Sequence, residues 1–296
     1  MIKLSIIIVN FNSGELLKKC LLTIRASFYP KSNFEIIIID NNSTDSSISE
    51  AYSVKGITPK MIRNEKNLGF AKANNQAISR SNGNYILLLN PDTKLENNTL
   101  KTMVSFMDKN IEVGVSTCRV ELPDGSIDDA SHRGFPTPIN ALFHFLGLGK
   151  LFPQSLIFNG YHLGYKNMNE THEIDSCVGA FMLVRRKVGE KIGWLDEDYF
   201  WYGEDIDFCY RVKEMGFKVM YVPITKIIHY KGISSGIKSH SSEFSTANEE
   251  TKRLATQARF DVMKIFYKKH YQNKYPKIIT MLVLLAIELK RKVALL

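Results

Sequence analysis

Three runs of aliphatic residues, Leu4–Val9, Phe34–Ile39 and Tyr85–Leu89, constrain this chain more than any other feature. Each is too short for a typical globular helix and has the apolar character of a strand buried on both faces. Each also stops on polar residues. Asn10 and Asn12 follow the first run, Asp40-Asn41-Asn42-Ser43 the second and Asn90-Pro91-Asp92 the third. Helix signals lie between them. Asn12 stands three residues before Glu15, a capping-box spacing, and Leu16, Leu17, Cys20, Leu21 and Ile24 follow at helical spacing. Ser43 or Thr44 is placed to cap a second helix, Met61–Arg63 is a short candidate strand, and Gly69–Ser79 is an Ala-rich candidate helix. This alternation predicts an α/β fold, with a mostly parallel sheet, right-handed crossovers and flanking helices. Such sheets bind ligands beyond the carboxyl ends of their strands. Three strands therefore deliver polar side chains to one edge, and that convergence says more than any one of them.

The second half is less regular. Val113–Val120 and Val178–Val184 predict strands, Arg186–Ile192 a short helix, Asp205–Met215 a helix with Gly216 as its C′ residue, and Phe217–Val222 another strand. Residues 131–172 are rich in Gly, Pro, Asn, His and aromatics around an apolar patch at Ala141–Leu148, and are expected to be mobile or to face substrate. The 296 residues, 44% of them hydrophobic, suffice for one large or two ordinary domains and exclude disorder as the main state. Cys20, Cys118, Cys177 and Cys209 form no CxxC pair, which argues against a zinc knuckle or a disulfide scaffold and for a reducing compartment. Met1–Val9 lacks a signal-peptide pattern, and the longest apolar stretch, Ile278–Ile287, is too short to span a bilayer; a cytoplasmic chain is expected. Charge is unevenly spread. Residues 1–250 hold 28 basic and 28 acidic residues, whereas 251–296 hold 11 basic residues and only Asp261 and Glu288. The tail thus carries the whole net charge of +9. A neutral body with a basic tail is not the footprint of a nucleic-acid binder, and it predicts contact with an anionic surface at one end.

Several motifs carry two readings each. Asp92, placed by a rigid Pro after a buried strand, suits Mg²⁺ or Mn²⁺ held by one or two carboxylates plus substrate phosphates; Asn90-Pro91-Asp92 also fits a turn that ends a strand. Asp40 fits an Asx-turn, or a carboxylate receiving a base N–H or sugar hydroxyls. Asn67-Leu68-Gly69-Phe70-Ala71 opens a small-residue helix, with a glycine that permits close backbone approach. No GxGxxG or P-loop is present, which removes support for dinucleotide binding and ATP hydrolysis. Trp201-Tyr202-Gly203-Glu204-Asp205-Ile206-Asp207 sets three carboxylates and two aromatics at a helix start. Helix capping and a general base tuned by neighbouring carboxylates both fit, and the aromatics suit the apolar face of a sugar. His229 is either structural or a metal or phosphate ligand. Lys231 and Lys238, on a Gly/Ser-rich segment reaching Ser242, fit a diphosphate or a solvated loop.

In order, Ser5-Ile6-Ile7-Ile8-Val9-Asn10-Phe11-Asn12, Asp40-Asn41-Asn42-Ser43-Thr44-Asp45, Asn67 to Asn75, Asn90-Pro91-Asp92, Gly179-Ala180-Phe181-Met182, Glu204-Asp205-Ile206-Asp207 and His229 form a set far more specific than its parts. Over about residues 3–235 it resembles the family-2 inverting glycosyltransferases of GT-A fold, and among them the bacterial rhamnosyltransferase-like branch. The resemblance implies a glycosyltransferase domain over 1–250, with a nucleotide-binding half to about 120 and an acceptor half beyond, followed by a basic helical tail over 251–296. It implies Asn10, Phe11 and Asn12 beside the nucleotide, Asp40 on the base, and Asn67 and Gly69 in the adjoining loop. Asn90 and Asp92 stand where the family has Asp-x-Asp, with Asp92 on the metal and Asn90 replacing the first Asp. Gly179 and Ala180 are implied in the sugar and acceptor pocket with Trp201, Tyr202 and Glu204, Asp205 as the catalytic base, and His229 as a metal or diphosphate ligand.

The implied reaction moves a sugar from a nucleotide-diphosphate donor to a glycan or lipid-linked saccharide, with Mg²⁺ or Mn²⁺. Branch resemblance favours dTDP-rhamnose over a UDP-sugar as donor. A sugar nucleotidyltransferase is disfavoured, because Asn10 to Glu15 is neither Gly-rich nor basic. A non-catalytic carbohydrate-binding protein is disfavoured by Asp92, Asp205 and His229 together. In the tail, Leu254, Ala258, Val262 and Ile265 make an apolar stripe, and Ile278–Leu289 is strongly apolar before Lys290-Arg291-Lys292. A peripheral contact with anionic lipid on the cytoplasmic face is expected, the alternatives being a helix packed on the sheet or a dimer contact. Oligomeric state stays open.

Overall fold

The computed structural model describes residues 2–231 and 249–295. The first part alternates β1 (Leu4–Asn10), α1 (Glu15–Arg25), β2 (Phe34–Asp40), α2 (Ser47–Tyr52), β3 (Lys60–Arg63), α3 (Phe70–Ile78), β4 (Tyr85–Leu89), β5 (Thr93–Leu95), α4 (Thr99–Lys109) and β6 (Val113–Glu121). Then come α5 (Pro138–Phe145), α6 (Leu148–Leu151), β7 (His172–Ile174), β8 (Phe181–Arg185), α7 (Arg186–Ile192), α8 (Glu204–Glu214), β9 (Lys218–His229), α9 (Glu249–His270) and α10 (Lys277–Leu295). One sheet runs in the order β3-β2-β1-β4-β8-β6-β9-β5, with β7 against β9. The pairs among β3, β2, β1 and β4 are parallel. β8 is antiparallel to both β4 and β6, so strand directions mix beyond β4. Lys238 and the Gly/Ser-rich segment around it lie outside the described residues.

Alternation along each strand builds two cores. Ile6, Ile8, Ile36, Ile38, Leu87 and Leu89 face the layer of α1, α2 and α4. Ile7, Val9, Ile37, Ile39, Ile86 and Leu88 face that of α3, α7 and α8. A two-residue period that is apolar at every step must be covered on both sides, which is why the unbroken runs fold as central strands. Each fully buried side chain of this size contributes about 1.5–3 kcal/mol.

Local details correct several expectations. Asn12 does not cap α1: Gly14 holds that position at φ 55°, and the Asn12 side chain instead accepts the Thr44 backbone N–H at 2.8 Å. α2 begins after Ser43 and Thr44, and it is Asp45 Oδ1 that accepts the Ser47 N–H at 3.1 Å. β8 starts at Phe181 rather than Val178, because the chain before it turns at Gly179-Ala180. β9 does not end at Val222. It passes Pro223 by a register break, Cys118 pairing with Val222 but Arg119 with Lys226, so the residue lacking an N–H sits in the bulge. That continuation carries His229 to the sheet edge opposite Thr93 of β5.

The expected tail stripe is also revised. Leu254 is exposed, while Val262 and Ile265 pack toward the domain beside buried Phe266, Tyr267 and Tyr271, which join Tyr199 and Tyr210 in a third cluster. Charge guides this docking of α9. Asp207, on α8, takes hydrogen bonds from Arg211 Nε and His270 Nε2, each at 2.7 Å. Burial works to raise the Asp207 pKa, but His270 and Arg211 prevail and hold it below the ordinary carboxylate value. Its contribution to stability is therefore present above about pH 4 and lost as pH falls through the lowered value. Asp207→Asn is expected to cost about 2 kcal/mol in urea unfolding at pH 7, less than a fully buried pair because Arg211 and His270 are partly exposed, with the difference shrinking below pH 4.

Candidate active site

The carboxyl ends of β1 and β2 are tied by side chains. Asn10 is fully buried, and its Nδ2 lies 3.0 Å from Asp40 Oδ1, 2.9 Å from Ser43 Oγ and 2.8 Å from Ser47 Oγ; Ser13 Oγ donates to its Oδ1. Asn10 is thus a strut beneath the expected nucleotide site. Asp40 accepts the Ser43 N–H at 3.3 Å, the Asx-turn expected of it, while its position at the end of β2 is that expected of a base contact. Phe11 and Asn12 follow directly, Asn12 at φ 50° with its N–H donated to Ser43 Oγ.

An amide chain carries this turn to the next loop. Asn64 donates to Asn41 Oδ1 at 2.8 Å, and Asn41 donates to Asn67 Oδ1 and to the Gly69 carbonyl, each at 3.2 Å. Asn67 Oδ1 also accepts the Gly69 N–H at 2.9 Å. Gly69 has φ 84°, and a Cβ there would stand 2.6 Å from the Phe200 carbonyl oxygen, so the position excludes any side chain. The next residue, Phe70, donates its N–H to that carbonyl at 3.0 Å. The nucleotide loop is thereby locked to the segment that carries Trp201 and Tyr202, whose rings stack with centroids 5.8 Å apart. Gly179 abuts the Phe70 ring, and the Ala180 carbonyl accepts the Asn90 N–H at 3.2 Å.

Asp92 and His229 meet across the β5–β9 edge, with Nε2 3.3 Å from Asp92 Oδ1 and 3.3 Å from Asn90 Nδ2. On its other side, Nδ1 lies 2.9 Å from Oδ2 of Asp128, a fully buried carboxylate that Lys231 also pairs. Burial opposes a charged His229, but Asp92 and Asp128 outweigh it and raise its pKa to about 9. Burial likewise works to raise the Asp128 pKa, but His229 and Lys231 hold it well below the usual carboxylate range. A histidine whose far nitrogen is fixed by a carboxylate, facing a second carboxylate, is a familiar metal-ligand arrangement. Among the described residues no three His, Cys, Asp or Glu converge as a metal cluster. Asp92 and His229 therefore offer a divalent cation only a partial set, to which other oxygen ligands would have to be added and for which His229 would have to give up the proton its raised pKa retains.

Asp205 sits in the first turn of α8, 7% exposed. Arg133 donates to its Oδ2 at 2.9 Å and the Ile206 N–H to its Oδ1 at 2.8 Å, so the side chain is fixed in direction by a charge-assisted pair. Arg133 is partly buried, and its Nε has no hydrogen-bond partner. Glu204 is also buried, and Oε2 has no partner. Burial first, and the Asp205 charge second, raise its pKa to about 8. Of the expected residues, the structure brings Asn90, Asp92, His229 and Ala180 together at one edge and joins Asn67 and Gly69 to the Trp201 segment. Sequence reasoning missed Asp128 and Arg133. Arg133 carried one signal, as the only Arg or Lys between Ser131 and Gly149 in the stretch expected to face substrate.

The fold is that of an α/β transferase, and the family profile named Glycosyl transferase family 2 matches residues 5–193. The chain belongs to that family. It is 28% identical over 236 residues to rhamnosyltransferase WbbL of Escherichia coli K12, covering 76% of this chain and 82% of the relative. It is 24% identical over 244 residues to the N-acetylglucosaminyl-diphospho-decaprenol L-rhamnosyltransferase of Mycobacterium tuberculosis H37Rv, covering 79% and 78%. The fold matches that of the mannosyltransferase PcManGT from Pyrobaculum calidifontis, solved with GDP-Man and Mn²⁺, at TM-score 0.59 and 16% identity over 99% of this chain and 72% of that one.

Because the folded-state pKa of Glu204 is raised, the native protein binds more protons than the unfolded chain between about pH 4.3 and the raised value, and stability falls with rising pH there. Glu204→Gln removes that slope. Its melting temperature relative to the parent is expected to climb from pH 5 to pH 8.

Proposed function

We propose that this chain is an inverting, divalent-metal-dependent glycosyltransferase that transfers a sugar from a nucleotide-diphosphate donor to a glycan or lipid-linked saccharide during cell-surface polysaccharide synthesis. The observation that carries the reading is Asp205, buried at a helix start and paired with Arg133 at 2.9 Å, in a chain of this family. The rhamnosyltransferase relatives support rhamnose, with dTDP-rhamnose as the donor.

In this reading the base contacts Asp40, and the sugar lies toward Gly179 and Ala180. Asp92 and His229 would hold a divalent cation, which would supply charge compensation for the diphosphate leaving group. The acceptor hydroxyl binds by Trp201 and Tyr202, with Glu204 beneath. Its oxygen attacks the anomeric carbon from the face opposite the diphosphate, the carbon–oxygen bond to the diphosphate breaks with its electron pair, and Asp205 takes the hydroxyl proton. Arg133 pairs with Asp205 and fixes its direction. One displacement inverts the anomeric centre, and no enzyme nucleophile takes part. Among the described residues no helix is long and apolar enough to cross a membrane. The basic tail is read as a peripheral contact that brings the active site to lipid-linked acceptors.

Asp205→Asn is expected to lower kcat by about 10³-fold while leaving the donor Kd within about threefold. Near-parental turnover would reject the base assignment. Across a panel of nucleotide sugars with Mg²⁺ or Mn²⁺ and a membrane lipid extract as acceptor, dTDP release from dTDP-rhamnose alone is expected; UDP release would keep the mechanism and replace the donor. Chelation with EDTA is expected to stop turnover and either cation to restore it.

A further inference from the structure

The described residues carry an apolar surface that the chain leaves uncovered. α10 has two apolar stripes. Val283, Leu284 and Ile287 turn inward, Val283 and Leu284 against the aromatic cluster of α9. Ile278, Met281, Leu282, Leu285, Leu289 and Val293 recur every three or four residues and are each more than half exposed. α5 repeats the pattern, with Ile139, Leu142 and Leu146 at helical spacing and at least half exposed. Beyond it, Leu151, Leu156 and Ile157 are each about two-thirds exposed. The two regions meet where Lys290 Nζ stands 3.7 Å above the Phe145 ring. Monomeric proteins rarely show a contiguous apolar patch above a few hundred Å². Here a dozen large apolar side chains on two adjoining regions are each half or more exposed.

Charge identifies the occupant. No Asp or Glu occurs between Asp129 and Glu170. The single carboxylate of α10, Glu288, is already paired with Lys264 and Arg291. Lys150, Lys277, Lys290 and Lys292 are exposed on these same elements. A second copy seated on this face would bring two sets of cations together with only the already paired Glu288 to offset them. Anionic headgroups would neutralise the cations while the acyl boundary covers the apolar side chains.

We propose that residues 138–157 and α10 form one composite docking surface for an anionic bilayer, with α5 and the chain after it as a second inserting element beside the C-terminal helix. The proposal deepens the lipid-linked acceptor reading and rests on it. Its geometry suits that reaction. The 138–157 segment departs from Arg133, which holds the base, and α9 passes so close to Gly203 that a Cβ there would stand 3.1 Å from Val262. Seating this surface in the headgroup layer therefore places Asp205 beside the sugar of a lipid-linked acceptor.

The test is flotation of the full chain with vesicles of phosphatidylcholine alone or mixed with phosphatidylglycerol, in parallel with light scattering and donor hydrolysis in solution. The parent protein is expected to float with the mixed vesicles only. The triple variants Leu142→Glu/Leu146→Glu/Ile157→Glu and Leu282→Glu/Leu285→Glu/Leu289→Glu are each expected to lower the bound fraction about tenfold, with melting temperature and donor hydrolysis unchanged. Leu146→Cys carrying an environment-sensitive fluorophore keeps the test decisive where a triple variant fails to fold; the four native cysteines are buried, and a blue shift on mixed vesicles is expected. A 138–157 variant that floats like the parent, or a label that stays unshifted while the parent floats, overturns the composite surface and leaves the tail contact standing. A parent that ignores vesicles and forms a dimer that the variants dissolve makes the face a contact between copies and overturns the proposal. Loss of donor turnover in the parent with flotation intact would instead count against the glycosyltransferase reading.

Discussion

A carboxylate cannot be buried as an ion without a partner, and the working parts of this protein are arranged around that constraint. Asp128 is matched by His229 and Lys231, Asp205 by Arg133, and Asp207 by Arg211 and His270. Each match joins elements far apart in sequence. The first fixes the end of β9 against the loop after β6, the second ties the 131–172 segment to α8, and the third docks α9 on the same helix. Glu204 lacks a cation and is pushed toward its neutral form instead. Asp128 and Asp207 are thus held below the ordinary carboxylate pKa and Glu204 above it, and the difference is set by what faces them.

The legible parts of the fold were those where local pattern and tertiary placement agree. β1, β2 and β4 are apolar because both their faces are covered, so the sequence alone marks them to within a residue or so. β9 was underestimated because Pro223 marks a stop in a central strand; only pairing with β6 shows that a bulge absorbs it. α4 went unanticipated although Leu100, Met103, Val104 and Met107 have helical spacing. The Asn12 capping box failed because a backbone N–H on the neighbouring turn competes for the same oxygen.

The candidate site divides in the same way. Asp92, Asp205 and His229 stood out as members of one ordered motif set, since a turn, a helix cap or a structural histidine explained each of them singly. Asp128 had no such signal. It follows an ordinary turn, and only the topology that lays β9 beside β6 and β5 brings it to His229. Arg133 was hidden in an irregular stretch, and its importance lies in a partner 72 residues away. Groups that act through others are visible only once the chain has folded.

The hydrogen bond from Phe70 to Phe200, with Gly69 pressed against the same carbonyl, has a consequence for engineering. The proposed donor half and acceptor half look separable along the chain, with a boundary near residue 120. Yet the loop proposed to lie beside the donor is moulded on backbone from the far side of that boundary. A chimera that takes one half from a relative would bring the loop without its mould. Exchange of donor preference between family members therefore calls for transplanting the 199–203 strap together with the first half, as one discontinuous module.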